Sequence, residues 1–180
     1  MTERASKIIY ETLKNEGLLS AGKYDAGGKT FMGIAFTYYP VDFINIVKIY
    51  ETNGYDEAED YAITFYHKHF WNELYDAVSD TTLLQQLFDF GVNAGTYIAV
   101  SLLQIVINKM YKYGLIVDGK FGNHTLSAMN LYSAESKEGE LESALHNEYE
   151  LTIAKWYKGR KGFWMFGRGW LRRMKKIFNL

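Results

Sequence analysis

The chain has 180 residues, 48% of them hydrophobic and 23% charged, which excludes global disorder and fits one large domain or two small ones sharing a core. It has no cysteine, which excludes a disulfide framework and a thiolate metal site and fits folding in a reducing compartment. The formal charge of −1 hides a division: residues 1–150 carry 11 Lys/Arg against 21 Asp/Glu, whereas residues 151–180 carry 9 Lys/Arg and no acid.

In chain order, Ala5, Ile8, Ile9 and Leu13 recur at helical spacing and predict a first helix over 3–16, with Gly17 as its stop. The opening residues lack an apolar core followed by a small-residue cleavage site, so no signal peptide is expected. No apolar run reaches the ~18 residues that a membrane span requires. Between 20 and 39, Gly22, Gly27, Gly28 and Gly33 alternate with aromatic residues, a pattern of turns and short strands. Pro40, the single proline, suits the first turn of a helix over about 40–51 that ends near Asn53-Gly54. A third helix is predicted over about 56–70, with Ala58, Tyr61, Ala62, Phe65 and His69 on one stripe. Thr81 or Thr82 is the expected cap of a fourth, ending near Phe90-Gly91.

A strongly apolar segment, 96–112, predicts a central buried helix with Ile98, Leu102, Leu103, Ile105 and Val106 around it. Asp118-Gly119 and Phe121-Gly122 make a tight connection, and Asn123 caps a helix over 124–132. A longer helix follows over about 138–158, then a short one over 163–178. No repeat, low-complexity tract or linker interrupts the chain.

Two carboxylates stand out. Glu16 lies at the end of the first helix and Asp25 in the glycine-rich turn beyond it, with eight residues between them. Such a pair can face across a cleft, one group donating a proton to a leaving oxygen and the other handling water or a developing positive charge, as glycoside cleavage requires. Burial against aromatic walls would raise the acid's pKa for that task. Tyr24, Phe31, Tyr38 and Tyr39 are the candidate walls and sugar platforms, and Thr30 is a candidate for holding the water. Each has a plainer reading: a surface glutamate at a helix end, a turn aspartate, a strand threonine.

Together these residues say more. Glu16-Gly17-Leu18, Asp25, Gly27-Gly28, Thr30 and Gly33-Ile34 resemble the N-terminal motif of glycoside hydrolase family 108, with Leu18 where that motif has its second glycine. The spacing is also similar to the Glu–Asp–Thr constellation of phage lysozymes. Tyr66 to Trp71 resembles the family's tyrosine–tryptophan segment, and Phe88-Asp89 with Val92 to Gly95, Ala99 and Leu103-Gln104 resembles a later one. Asp118-Gly119-Lys120-Phe121-Gly122 with Thr125 and Ala128, and Gly169-Trp170-Leu171 with Arg173, are similar to a companion peptidoglycan-binding region.

The resemblance implies a mainly α, lysozyme-like helical fold with a short β-hairpin near residues 22–38. It implies a catalytic region over 1–85 and a helical peptidoglycan-binding-like region over 86–180, packed as one compact unit. The implied activity is N-acetylmuramidase, cutting the β-1,4 bond from N-acetylmuramic acid to N-acetylglucosamine, with Glu16 as general acid and Asp25 and Thr30 in support. A lytic transglycosylase using the same Glu16, or a non-catalytic wall-binding protein, remains an alternative. No cofactor or metal is expected: His67 and His69 lie two apart on a helix and do not share a face.

The expected partner is peptidoglycan, met by a monomer made in the cytoplasm and acting on the cell wall. The basic tail, with Arg172, Arg173, Lys175 and Lys176 near Trp170, would add weak contact with an anionic wall or membrane. Its plainer reading is a packed helix with a solvated basic side. Nucleic acid is not an expected partner, because the rest of the chain is acidic.

Overall fold

A computed structural model describes residues 1–21, 28–135 and 140–160 of the protein. The chain divides into two compact units, Met1–Trp71 and Asn72–Leu180. The predicted helix over 163–178 lies outside the described residues. No described helix is long and apolar enough to cross a membrane.

In the first unit, helix α1 spans Glu3–Leu13. Thr2 caps it, its Oγ1 accepting from the Ala5 N–H at 3.1 Å. Ala5, Ile8, Ile9, Thr12 and Leu13 are its buried residues, a helical stripe turned towards α3. Gly17 does not stop it by a left-handed turn, as the sequence suggested. The chain instead tightens, Asn15 N–H donating to Thr12 O and Glu16 N–H to Leu13 O, which satisfies the last carbonyls without a positive φ.

Three short strands follow: β1 Leu19–Ala21, β2 Lys29–Phe31 and β3 Ile34–Ala35, antiparallel in that order. The expected hairpin is thus β2–β3 with a third strand added, and the sheet begins at Leu19. Ser20 pairs with Thr30, and Thr30 with Ala35. The two-residue turn is Met32-Gly33, with φ of 45° and 75°, the doubly positive geometry that matches strand twist. Methionine is an unusual occupant there. It is held because its N–H donates to Leu18 O at 2.9 Å, its carbonyl accepts from Tyr66 Oη at 3.2 Å, and its side chain is buried.

Helix α2, Pro40–Asn53, opens on the proline and ends at Gly54, whose φ is 103°. Helix α3 covers Tyr55–Phe70. The two pack together and are tied by Tyr61 Oη donating to Asp42 Oδ1 at 2.9 Å. Of the predicted α3 stripe, Ala58, Ala62 and Phe65 are buried. Tyr61 is half-buried and His69 exposed, while Ile63 and Tyr66 complete the buried side.

The second unit begins with a 3-10 turn, Glu73–Ala77, that the sequence reading missed. Asp80, not Thr81 or Thr82, caps α4, Thr81–Ala94, its Oδ1 accepting from Leu83 N–H at 2.9 Å. Helix α5, Thr96–Tyr111, packs on α4 and on α7, Glu140–Lys158; α6 is Asn123–Glu135. The fully buried Leu84, Leu87 and Leu103 each contribute about 1.5–3 kcal/mol from apolar burial. Tyr149, with none of its surface exposed, satisfies its hydroxyl on Ala99 O at 2.9 Å. Seven α-helices among the described residues make the fold mainly α. Residue 85, the expected end of the first region, falls inside α4.

Candidate active site

Glu16 sits just past α1, where the tightened turn carries it off the helix axis. It is half-buried. What lies beneath it is Gly33. A methyl group built on Gly33 would come within 2.9 Å of both Glu16 Cγ and Glu16 Oε2, and would collide with Tyr66 Oη. The carboxylate therefore rests on the bare Cα of the hairpin turn, beside a hydroxyl that is almost fully buried.

That shelf is built from three directions. Leu18, two residues after Glu16, takes the Met32 N–H; Tyr66 on α3 holds the Met32 carbonyl; the glycine leaves the space. Glu16 thus lies against the backbone of a turn. Position 33 admits only glycine for two reasons, its positive φ and the atoms above it.

Thr30 lies on the central strand, half-buried, two residues ahead of the shelf. Phe31 points the other way, as strand alternation requires. It is only 5% exposed and meets Tyr50 edge-on at 5.2 Å between ring centroids. It is a core residue. Tyr38 is exposed at 64% and available to a ligand. Tyr39 is half-buried, packed edge-on against Phe65 and His69. Tyr24 and Asp25 lie outside the described residues.

No group of three or more His, Cys, Asp or Glu side chains able to hold a metal occurs among the described residues. His67 stacks on Trp71, and His69 lies against Phe65. Sequence reasoning missed Tyr66 as the partner of the turn. Its signal was weak: a tyrosine 34 residues from Met32 carries no local pattern.

Residues 9–95 match the family model of glycosyl hydrolase 108. That segment, just under half of the chain, is what resembles glycosyl hydrolase family 108. It contains Glu16, Thr30, Gly33 and Tyr66. Residues 98–175 match a predicted peptidoglycan domain. The chain also resembles the solved structure of Brucella abortus SagA, with a TM-score of 0.69 and 25% identity over 96% of this chain and 90% of that one. No curated protein matches it. The two matched segments together support a glycoside hydrolase acting on peptidoglycan.

Proposed function

We propose that the protein is an N-acetylmuramidase that cuts the β-1,4 bond from N-acetylmuramic acid to N-acetylglucosamine. The observation carrying this reading is the Glu16 carboxyl group seated on Gly33 beside Tyr66, within the segment that matches the hydrolase family. In this mechanism Glu16 gives its proton to the glycosidic oxygen as the bond breaks. A water, oriented by Asp25 and Thr30, adds to the anomeric carbon, and its proton leaves to a carboxylate. Tyr38 offers an exposed ring face to a sugar. The enzyme works as a monomer at the cell wall, with its basic tail adding attraction to anionic wall polymers.

The test is turbidity loss of purified peptidoglycan with Glu16→Gln. Glutamine keeps the shape and cannot donate the proton, so clearing should fall by at least ~10²–10⁴-fold, at an unchanged melting temperature. Asp25→Asn should also lose activity if Asp25 orients water, whereas a turn residue would tolerate it. Near-wild-type clearing by the Glu16 variant would sink the mechanism. Mass spectrometry of the products separates hydrolysis from transglycosylation: reducing-end muramic acid supports the proposal, and anhydro-muramic ends would replace it with the transglycosylase reading.

A further inference from the structure

Helix α5 carries two amide side chains one turn apart, Gln104 and Asn108, and both reach into the chain that follows the helix. Asn108 brackets Leu115, its Nδ2 donating to Leu115 O and its Oδ1 accepting from Leu115 N–H, each at 2.7 Å. Gln104 Oε1 accepts from the N–H groups of Asp118 and Gly119 at 3.1 and 3.0 Å. Its Nε2 faces Asp118 Oδ1, Lys120 O and Thr125 Oγ1 at 2.9–3.2 Å. Residues 112–122 are neither helix nor strand, yet they are fixed in place. Gly119 adopts a φ of 66° where an added methyl would strike the Tyr97 ring.

This fixed loop and the first turn of α6 line a cleft of about 460 Å³, within the usual size range of ligand sites. The chemistry facing a ligand is set by the side chains that line the cleft. The amides of Gln104 and Asn108 are consumed inside the protein. Also lining the cleft are the Lys120 ammonium, the His124 imidazole, the Asp118 carboxylate, whose Oδ1 is held by Gln104 and the Lys120 N–H, the Tyr113 ring and the apolar side chains of Leu115 and Ile116. Ile116 is 81% exposed. Lys120 forms no salt bridge with any described residue. The Gln104 hydrogen bond, with that of the Lys120 N–H, holds the Asp118 carboxyl below its ordinary pKa, so it is an anion at neutral pH.

We propose that this cleft binds the peptide stem of peptidoglycan rather than its glycan. Sugar sites present broad aromatic faces and free planar amides; here the amides are spent, and a cation and an anion two residues apart remain. A stem peptide carries the matching groups: free carboxylates, the amino group of its diamino acid and the methyl groups of its alanines. Lys120 and His124 face a carboxylate, Asp118 faces the amino group, and Leu115 with Ile116 takes the methyls. The proposal rests on peptidoglycan as the ligand of the second segment, and not on which glycosidic bond the first one cuts.

The wild-type full chain, labelled with nitrogen-15, is titrated with two probes: a synthetic stem tetrapeptide containing meso-diaminopimelate, and the N-acetylglucosamine tetramer, which has no peptide. The tetrapeptide should shift the amides of Leu115, Asp118, Lys120 and His124 saturably, with a Kd of about 1 mM or tighter, and Lys120→Glu should weaken it about tenfold. A cleft silent to the peptide, or shifted by the tetramer alone, overturns the proposal, as does undiminished binding by the charge-reversed variant. Should that variant not fold, the wild-type titration decides by itself. Neither probe needs turnover, so failure of the muramidase mechanism leaves this result readable, and a silent cleft in an active muramidase removes only the stem-peptide assignment.

Discussion

Glu16 was legible in the sequence because a carboxylate at a helix end before a glycine-rich turn is a local pattern. The shelf below it was not, because it is assembled from Leu18, Met32-Gly33 and Tyr66 by contacts that leave no spacing signal. The burial of Phe31 was hidden for a similar reason: strand alternation says that neighbours diverge, but not which side is core. The shelf makes a prediction. Gly33→Ala should cost about 1–2 kcal/mol from the left-handed backbone alone, and its methyl group should displace both Tyr66 Oη and Glu16. Peptidoglycan clearing should therefore fall further than the lost folded fraction explains. Parallel thermal and activity measurements check this, and a loss of activity no greater than the loss of folded protein would remove Glu16 positioning from the account. A second residue bears on pH. Burial lowers the His146 pKa, opposed by the nearby Asp80 charge. A lowered folded pKa means that the unfolded chain takes up the proton first. Stability is therefore fully present well above the unfolded value of ~6.5, falls as the pH drops through it, and levels off below the folded value. His146→Gln should flatten the fall in melting temperature between about pH 7.5 and 5.5; parallel curves for variant and parent would refute the assignment.

At the scale of elements, periodicity and punctuation located the helices well, since apolar stripes and the Pro40 and Gly54 boundaries are written locally. The exceptions have physical reasons. The 3-10 turn at Glu73–Ala77 is too short to show a period, and it is held from a distance by Asn130, whose Nδ2 donates to Ala77 O at 2.7 Å. The end of α1 is set by a tightening of the last turn and not by glycine. The 112–122 connection read as a plain turn because the residues that fix it sit on α5. Gln104 is only 2% exposed, and its removal would take the side-chain acceptor from the Gly119 N–H, whereas the Asp118 N–H keeps Ile116 O at 3.1 Å. Gln104→Ala should therefore destabilise the protein by about 1–3 kcal/mol for an unsatisfied buried group. It should also let the Asp118 pKa rise towards its ordinary value. Denaturant melts and a carboxylate titration followed by NMR test both, and an unmoved Asp118 titration would contradict the network described.

For the whole molecule, the charge division is visible in the sequence alone. Replacing Arg172, Arg173, Lys175 and Lys176 with glutamine should weaken cosedimentation with whole cell walls at low salt, and the difference should shrink as the screening length falls to ~8 Å at physiological strength. Cosedimentation unchanged at every salt concentration would assign those side chains no part in wall binding. The sequence carries two motif sets with no linker between them. The hydrolase family segment runs to residue 95, whereas the compact units divide at Trp71 and Asn72. Helix α4 falls in the first by sequence similarity and in the second by packing, with Leu83, Leu84, Leu87 and Phe88 buried and α5 and α7 against it. A gene cut at the end of the hydrolase segment would carry α4 away from the helices that cover its apolar side. The matched hydrolase segment is therefore not a cassette to be spliced out at its own end; a cut before α4 would leave that helix with the partners that cover it.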